Sequence, residues 1–264
     1  MTNAELEAVI DLVRQAGKAI LDIYEQDFEV EHKDDRSPLT AADRAAHHIL
    51  VDGLAALPSG LPVLSEESAA IPWSERRQWQ RYWLVDPLDG TREFVKRNGE
   101  FTVNVALIDG DASILGVVYA PVLDYLAYAR RGEGAFVQVG AQPVCRVFSA
   151  RPASAPLRVC ASRSHLDSRT EALLGRVGEH EKLGLGSSLK FCRVAEGRAD
   201  LYPRFGPTSE WDTAAAQCVL EEAGGAVIDT EGRALRYNCK ESLLNTDFLA
   251  IGDSQLPWRD WLDD

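Results

Sequence analysis

Two aspartates three residues apart, in Asp86-Pro87-Leu88-Asp89-Gly90-Thr91, follow a short apolar run from Tyr82 to Val85. The run reads as a buried strand, which Pro87 and Gly90 then break so that two carboxylates stand at its end. Loops at strand ends are common places for chemistry. The same residues are also good turn formers, with Pro setting φ, Gly taking positive φ and each aspartate bonding its own backbone. A helix-loop-helix calcium site does not fit, because Leu88 and Gly90 stand where oxygen donors are needed. Two further acidic stretches at expected element boundaries, Ser65-Glu66-Glu67-Ser68 and Glu210-Trp211-Asp212-Thr213, tip the reading towards a metal site. A hard divalent cation such as Mg²⁺ takes several converging carboxylate oxygens together with waters and substrate phosphate.

Other residues are candidates on weaker grounds. Thr40 can cap a helix that runs to about Leu57, which puts Asp43 at the third helical position, where it completes the cap and suits the helix dipole. His47 and His48 lie on the same helix and read as solvent-facing, since no second histidine motif accompanies them. Gly184-Leu185-Gly186-Ser187-Ser188 leads straight into a helix, so its N–H groups offer a phosphate seat with Lys190 one turn in; ordinary capping explains the same residues. Arg204 falls in a loop shortly before Asp212. Asp212 starts a helix, where a carboxylate can cap or hold a metal, and Ala214-Ala215-Ala216 behind it would let that helix approach other backbone closely.

The elements that must position these residues are legible in outline. Leu6, Val9, Ile10, Val13, Gly17, Ile20, Leu21 and Tyr24 form one helix face, with Thr2 and Glu5 as a capping box. Ala42, Ala45, Ala46, Ile49, Leu50 and Leu54 form the second. Pro62 to Ser65 is β-compatible, and a polar, Trp-rich connector spans 71–81. Phe101 to Ile108 alternates with period two, turns at Asp109-Gly110 and pairs with Ser113 to Ala120; Tyr125 to Ala129 and Ala135 to Val139 extend the meander. From Leu157 onward strand and helix signals alternate: strands at 157–161, 199–202, 226–229 and 248–251, a strand or loop at 183–186, and helices at 167–177, 188–196 and 212–223. The Pro-, Ser- and Ala-rich stretch 149–156 divides an N-terminal α+β domain (1–150), with the antiparallel sheet and most acids, from a C-terminal α/β domain (151–264) that supplies Asp212.

Apolar content of 45% and charged content of 26% are ordinary for a globular chain. There is no apolar run near the roughly 20 residues a transmembrane segment needs, and the polar start is no signal peptide, so a cytoplasmic protein is expected. Five widely spaced cysteines without a Cys-x-x-Cys pattern indicate neither a disulfide framework nor zinc. A net charge of −13 argues against a nucleic acid polymer as partner but not against a small phosphorylated substrate, because bound cations would reverse the local field.

Taken in order, Glu66-Glu67, Asp86-Pro87-Leu88-Asp89-Gly90-Thr91 and Trp211-Asp212-Thr213-Ala214-Ala215 resemble the three signatures of the inositol monophosphatase-like, lithium-sensitive, magnesium-dependent phosphatases. Arg92 to Asn104, Ser162-Arg163-Ser164-His165, Gly186 to Cys192 and Leu201 to Pro207 are similar to the bacterial 3′(2′),5′-bisphosphate nucleotidase branch in particular, and the likeness spans nearly the whole chain. One departure is Ala216, where many relatives carry glycine. The resemblance implies a mixed α/β (α+β) chain in the layered αβαβα sugar-phosphatase-like fold. It implies two or three Mg²⁺ ions held by Glu66, Asp86, Asp89, Asp212 and the Leu88 carbonyl, and a water activated by Thr91 paired with Asp43. The same loop, from Leu88 through Gly90 to Thr91, would meet the scissile phosphate together with Glu66 and Asp212. Ser162, His165, Gly186 and Lys190 would hold the nucleotide and its second phosphate; Arg204 is added from its place before Asp212. The expected reaction is hydrolysis of the 3′-phosphate of adenosine 3′,5′-bisphosphate to AMP without a covalent phosphoenzyme, which sets the chain in sulfur metabolism. An inositol or sugar monophosphatase on the same scaffold is the alternative. A nucleotide bisphosphate is thus the expected partner; the resemblance also leaves room for a homodimer and for peripheral association with the cytoplasmic face of the inner membrane.

Overall fold

The structure is a computed structural model that describes residues 2–25, 41–161 and 167–262. Helix α1, Asn3–Tyr24, begins at the expected capping box, in which the Glu5 N–H donates to Thr2 Oγ1 and the Thr2 N–H donates to the Glu5 carboxylate. Val9, Val13, Ala16 and Ile20 are buried along one stripe, against which helix α2, Ala41–Ala55, sets Ala42, Ala46, Leu50 and Leu54. Thr40, its expected cap, lies outside the described residues.

The first sheet has seven strands in chain order. They are β1 Val63–Ser65, β2 Arg81–Asp89, β3 Thr102–Asp109, β4 Ala112–Ala120, β5 Tyr125–Arg130, β6 Gly134–Val139 and β7 Cys145–Val147. β1 runs parallel to β2 and every later neighbour is antiparallel. Two short helices interrupt the order: α3, Trp73–Arg76, in the polar connector, and α4, Thr91–Val95, directly after the paired aspartates. The edge strand β7 has no sequence signal, since two of its three residues are exposed and no alternation marks it.

The second sheet contains β8 Leu157–Ala161, β9 His180–Gly184, β10 Leu201–Arg204, β11 Ala226–Asp229 and β12 Phe248–Ile251, ordered β11-β12-β10-β8-β9. Helices α5, Ser168–Val177, α6, Leu189–Ala195, and α7, Glu210–Glu222, complete the set among the described residues. The layers follow from which faces are apolar. Trp83, Val85, Val103 and Val105 face α1 and α2, while Tyr82, Leu84, Ala106 and Ile108 on the opposite faces of the same strands meet Phe191 of α6 and Ala214 to Ala216 of α7. Tyr202, Phe248 and Ala250 of the second sheet close over α6 and α7 from the far side, and Leu201, Leu249 and Ile251 turn outward to α5 and Trp258. The result is the αβαβα layering. No described helix is long and apolar enough to cross a membrane.

The small residues of α7 have the expected consequence. A methyl group added at Gly116 of β4 would lie 2.0 Å from the Ala215 carbonyl oxygen, so the helix backbone sits directly on the sheet. Gly116→Ala is therefore expected to destabilise the fold by about 1–3 kcal/mol, the usual cost of overpacking. Urea unfolding reads this as a lower midpoint; an unchanged midpoint would show that α7 is not seated there.

Candidate active site

The site is built where β1, β2 and α7 converge. Strand β2 does not end at Pro87 as the sequence suggests but runs on to Asp89 through an irregularity: Asp86 pairs with Asn104 and Asp89 with Thr102. Three steps along β2 thus match two along β3, a one-residue bulge, which is where a strand tolerates proline. Without the bulge, residues three apart would point to opposite faces. With it, Asp86 and Asp89 share the face of Asn104 and Thr102, turned towards α6 and α7, while Leu88 is buried on the other face against the α1 and α2 layer. Parallel pairing of Ser65 with Val85 sets Glu66 beside Asp86.

Carboxylate oxygens of Glu66, Asp86 and Asp212 all lie within 4.8 Å of one another. Asp86 is buried, its Oδ1 accepts from the Leu88 N–H at 3.0 Å, and its Oδ2 meets no donor unless a neighbouring acid carries a proton. Asp212 caps α7 in reverse, accepting from the Ser209 N–H at 2.9 Å. Asp89 stands just outside this trio, its Oδ2 accepting from the Ser188 N–H at 2.6 Å. Asp43, buried in the first turn of α2, lies close enough for its charge to act on Glu66 and Asp86. Thr91 starts α4 after Gly90, whose φ is 91°, and its Oγ1 reaches the Leu88 carbonyl only at 3.5 Å.

Burial first, and then mutual repulsion, sets the charge state of this cluster. Glu66 opens to solvent on one side, yet desolvation of its carboxyl and the charge of Asp212 push it up to about 8. Asp212 is pushed up to about 7 by burial and then by Asp89. Asp86 is raised well above the carboxylate range by burial and by Glu66. Burial also raises Asp89, opposed most by Lys190. An all-oxygen set of crowded acids, one with an orphaned oxygen, fits a hard divalent cation and would bind it through Glu66, Asp86 and Asp212, with Asp89 alongside.

The expected phosphate seat differs in detail. The Gly186 N–H donates to Glu100 Oε2 at 2.9 Å and the Ser188 N–H to Asp89, so two of its donors are already engaged by carboxylates. Lys190 is buried, donates to the Ser187 carbonyl at 2.7 Å and lies over the Tyr202 ring; burial lowers its pKa and Asp89 partly restores it. Arg204, on the same face of β10 as Tyr202, donates to the Gly206 and Pro207 carbonyls at 3.2 and 3.0 Å. Ser162 and His165 lie outside the described residues. His47 is not a solvent-facing residue: its Nδ1 lies 2.9 Å from the buried Ser65 hydroxyl, because β1 packs against α2 there. Sequence reasoning gave no role beside Asp89 to Thr102 and Asn104, and placed Ser188 in the phosphate seat or a cap; all three are buried beside Asp89. Their signal was two polar side chains on one face of a strand whose next residues on that face, Ala106 and Ile108, are apolar.

The pattern of the inositol monophosphatase family matches residues 3–256. The chain belongs to the inositol monophosphatase family. Within it, the chain is 52% identical over 245 residues to the 3′(2′),5′-bisphosphate nucleotidase CysQ of Salmonella typhimurium, covering 92% of this chain and 98% of that one. The same identity and coverage hold for CysQ of Escherichia coli K12. Among solved structures, CysQ from Bacteroides thetaiotaomicron, described as a bacterial inositol monophosphatase family member, superposes with a TM-score of 0.82 at 42% identity, covering 94% of this chain and 97% of that one. The Thermotoga maritima IMPase gives 0.78 at 25% identity, covering 94% and 92%.

The raised acids set a pH dependence for the metal-free protein. Folding keeps on Glu66, Asp212 and the equally raised Glu210, pushed up to about 7 by burial, protons that the unfolded chain releases near pH 4. Their contribution is full below about pH 4 and is lost as pH rises through 7 to 8. In chelator, the melting temperature should fall as pH rises from about 5 to about 8, and Asp212→Asn, which removes one of these protons and the largest charge acting on Glu66, should flatten that fall. A slope unchanged by Asp212→Asn would contradict the repulsion.

Proposed function

We propose that this chain is a Mg²⁺-dependent phosphoric monoester hydrolase that releases the 3′-phosphate of adenosine 3′,5′-bisphosphate to give AMP. The observation that carries the substrate is the near full-length likeness to the bisphosphate nucleotidases. The acid cluster, with the cations Lys190 and Arg204 beside it, supports the chemistry: one group of residues to hold metal at the scissile phosphate and another to meet a second anion.

Glu66, Asp86, Asp89, Asp212 and the Leu88 carbonyl would hold the metal, in a set that accommodates two or three ions. Mg²⁺ held by these residues would supply charge neutralisation of the ester dianion, a more acidic water and stabilisation of the departing alkoxide. Thr91 Oγ1 orients the attacking water and takes its proton while passing its own to the Asp43 carboxylate, so no further anion is set against the phosphate. Attack in line forms one phosphorus–oxygen bond as the bond to the ribose 3′-oxygen breaks; that oxygen departs as the alkoxide and takes a proton from solvent water, while Asp43 returns its proton to solvent. Gly90, with positive φ, brings backbone to the phosphate, and Gly186, Lys190, Ser162 and His165 take the nucleotide. A cytoplasmic location, sensitivity to lithium and a place in sulfur metabolism accompany this reading.

Initial rates on adenosine 3′,5′-bisphosphate and inositol 1-phosphate decide the substrate: the nucleotide should be hydrolysed much faster, and the reverse order would make the chain an inositol monophosphatase. Asp86→Asn should lower the rate by at least about 10²-fold, the scale of a lost electrostatic stabiliser; unchanged turnover would place the chemistry elsewhere.

A further inference from the structure

Asp89 is steadied by more than the single N–H of Ser188. Ser188 Oγ lies 2.8 Å from both Asn104 Oδ1 and Thr102 Oγ1, and Thr102 Oγ1 lies 3.5 Å from Asp89 Oδ2, so two hydroxyl protons are shared over three contacts beside Asp89. Thr102, Asn104 and Ser188 are 0%, 1% and 1% exposed, so each polar group is taken out of water for these contacts alone. Desolvating three such groups is unfavourable unless hydrogen bonds compensate, and among the described residues Asn104 Nδ2 meets no acceptor, a cost that apolar residues in the same space would not carry.

The Ser188 hydroxyl is a second, independent sign. Ser188 is the cap residue of α6, a position where serine ordinarily accepts a hydrogen bond from the first turn. Here its side chain makes no capping bond and turns sideways to β3 instead. The residue before it, Ser187, holds a left-handed φ of 46°, which few side chains adopt without strain. That turn directs the Ser188 N–H at Asp89. Registration completes the arrangement: Thr102 is the cross-strand partner of Asp89 and Asn104 that of Asp86, so the trio lies against both aspartates and ties them to the loop carrying Lys190.

We propose that Thr102, Asn104 and Ser188 are positioning residues that hold the Asp89 carboxylate at the orientation in which it joins Glu66, Asp86 and Asp212 on a divalent cation. They act through Asp89, and the inference rests on the metal-site reading above. Buried hydrogen-bonding partners of a ligating carboxylate commonly govern affinity at about the 10- to 100-fold level.

The test is calorimetric titration of the chelator-stripped full chain with Mn²⁺ alone, alongside its melting temperature in chelator. Thr102→Val keeps shape and removes the hydroxyl, Thr102→Ser keeps the hydroxyl, and Ser188→Ala removes the other hydroxyl while sparing the N–H to Asp89. Thr102→Val and Ser188→Ala should each weaken Mn²⁺ binding by about 10-fold with the metal-free melting temperature within a few degrees of the parent, and Thr102→Ser should restore binding. Parental affinity in both Thr102→Val and Ser188→Ala, or a loss in Thr102→Ser equal to that in Thr102→Val, would overturn the proposal while leaving the metal site intact. Failure of the parent itself to bind Mn²⁺ would overturn the metal site and the positioning role together.

Discussion

A one-residue bulge between Asp86 and Asp89 is the constraint on which this structure depends. Side chains of a regular strand alternate, so two carboxylates three residues apart would straddle the sheet, one in the α1 and α2 layer and one against α6 and α7. The register shift turns both to the same face and leaves Leu88 to fill the opposite core. Every other contribution is aimed at that face: Glu66 from the end of a parallel neighbour, Asp212 from a helix brought down onto Gly116, and Ser188 from the loop entering α6. The central helical layer is therefore both the apolar filling between two sheets and the support for the acids.

Crowded carboxylates work against folding, and the surroundings show how that conflict is contained. Burial and mutual repulsion raise Glu66, Asp86 and Asp212, while the Ser209 N–H, the Leu88 N–H and the Ser188 N–H each meet one carboxylate oxygen. Lys190, itself buried, brings a positive charge towards Asp89. Such an arrangement favours whatever cation enters it, so stability given up by the empty cluster returns as affinity. Elsewhere in the molecule carboxylates sit in the opposite condition. Asp200, though buried, is held below its ordinary value by Arg158 and two backbone N–H groups.

Much of this was legible in the chain because it rests on local rules. The capping box at Thr2 and Glu5, the hairpin at Asp109-Gly110 and the alternation of β3 follow from propensity and period, and the acids announced themselves by type and clustering. What escaped was set by pairing between distant segments. Pro87 looks like a strand terminator until β3 is known to supply a bulge opposite it. Ser188 looks like a cap until β3 places Thr102 and Asn104 within reach of its hydroxyl. His47 looks exposed until β1 brings Ser65 against its ring, and Gly186 looks like a free donor until Glu100 arrives from 86 residues away. In each case the local signal was sound and a tertiary contact redirected it.

The central claim is that the bulge assembles one divalent-cation site from Glu66, Asp86, Asp89 and Asp212. Crystals of the full chain grown with Mn²⁺ and measured at its absorption edge test this most directly. The account predicts anomalous peaks in direct contact with Glu66, Asp86 and Asp212, and with Asp89 among the ligands. Absence of a peak among these acids, with Mn²⁺ bound at some other surface, would contradict it.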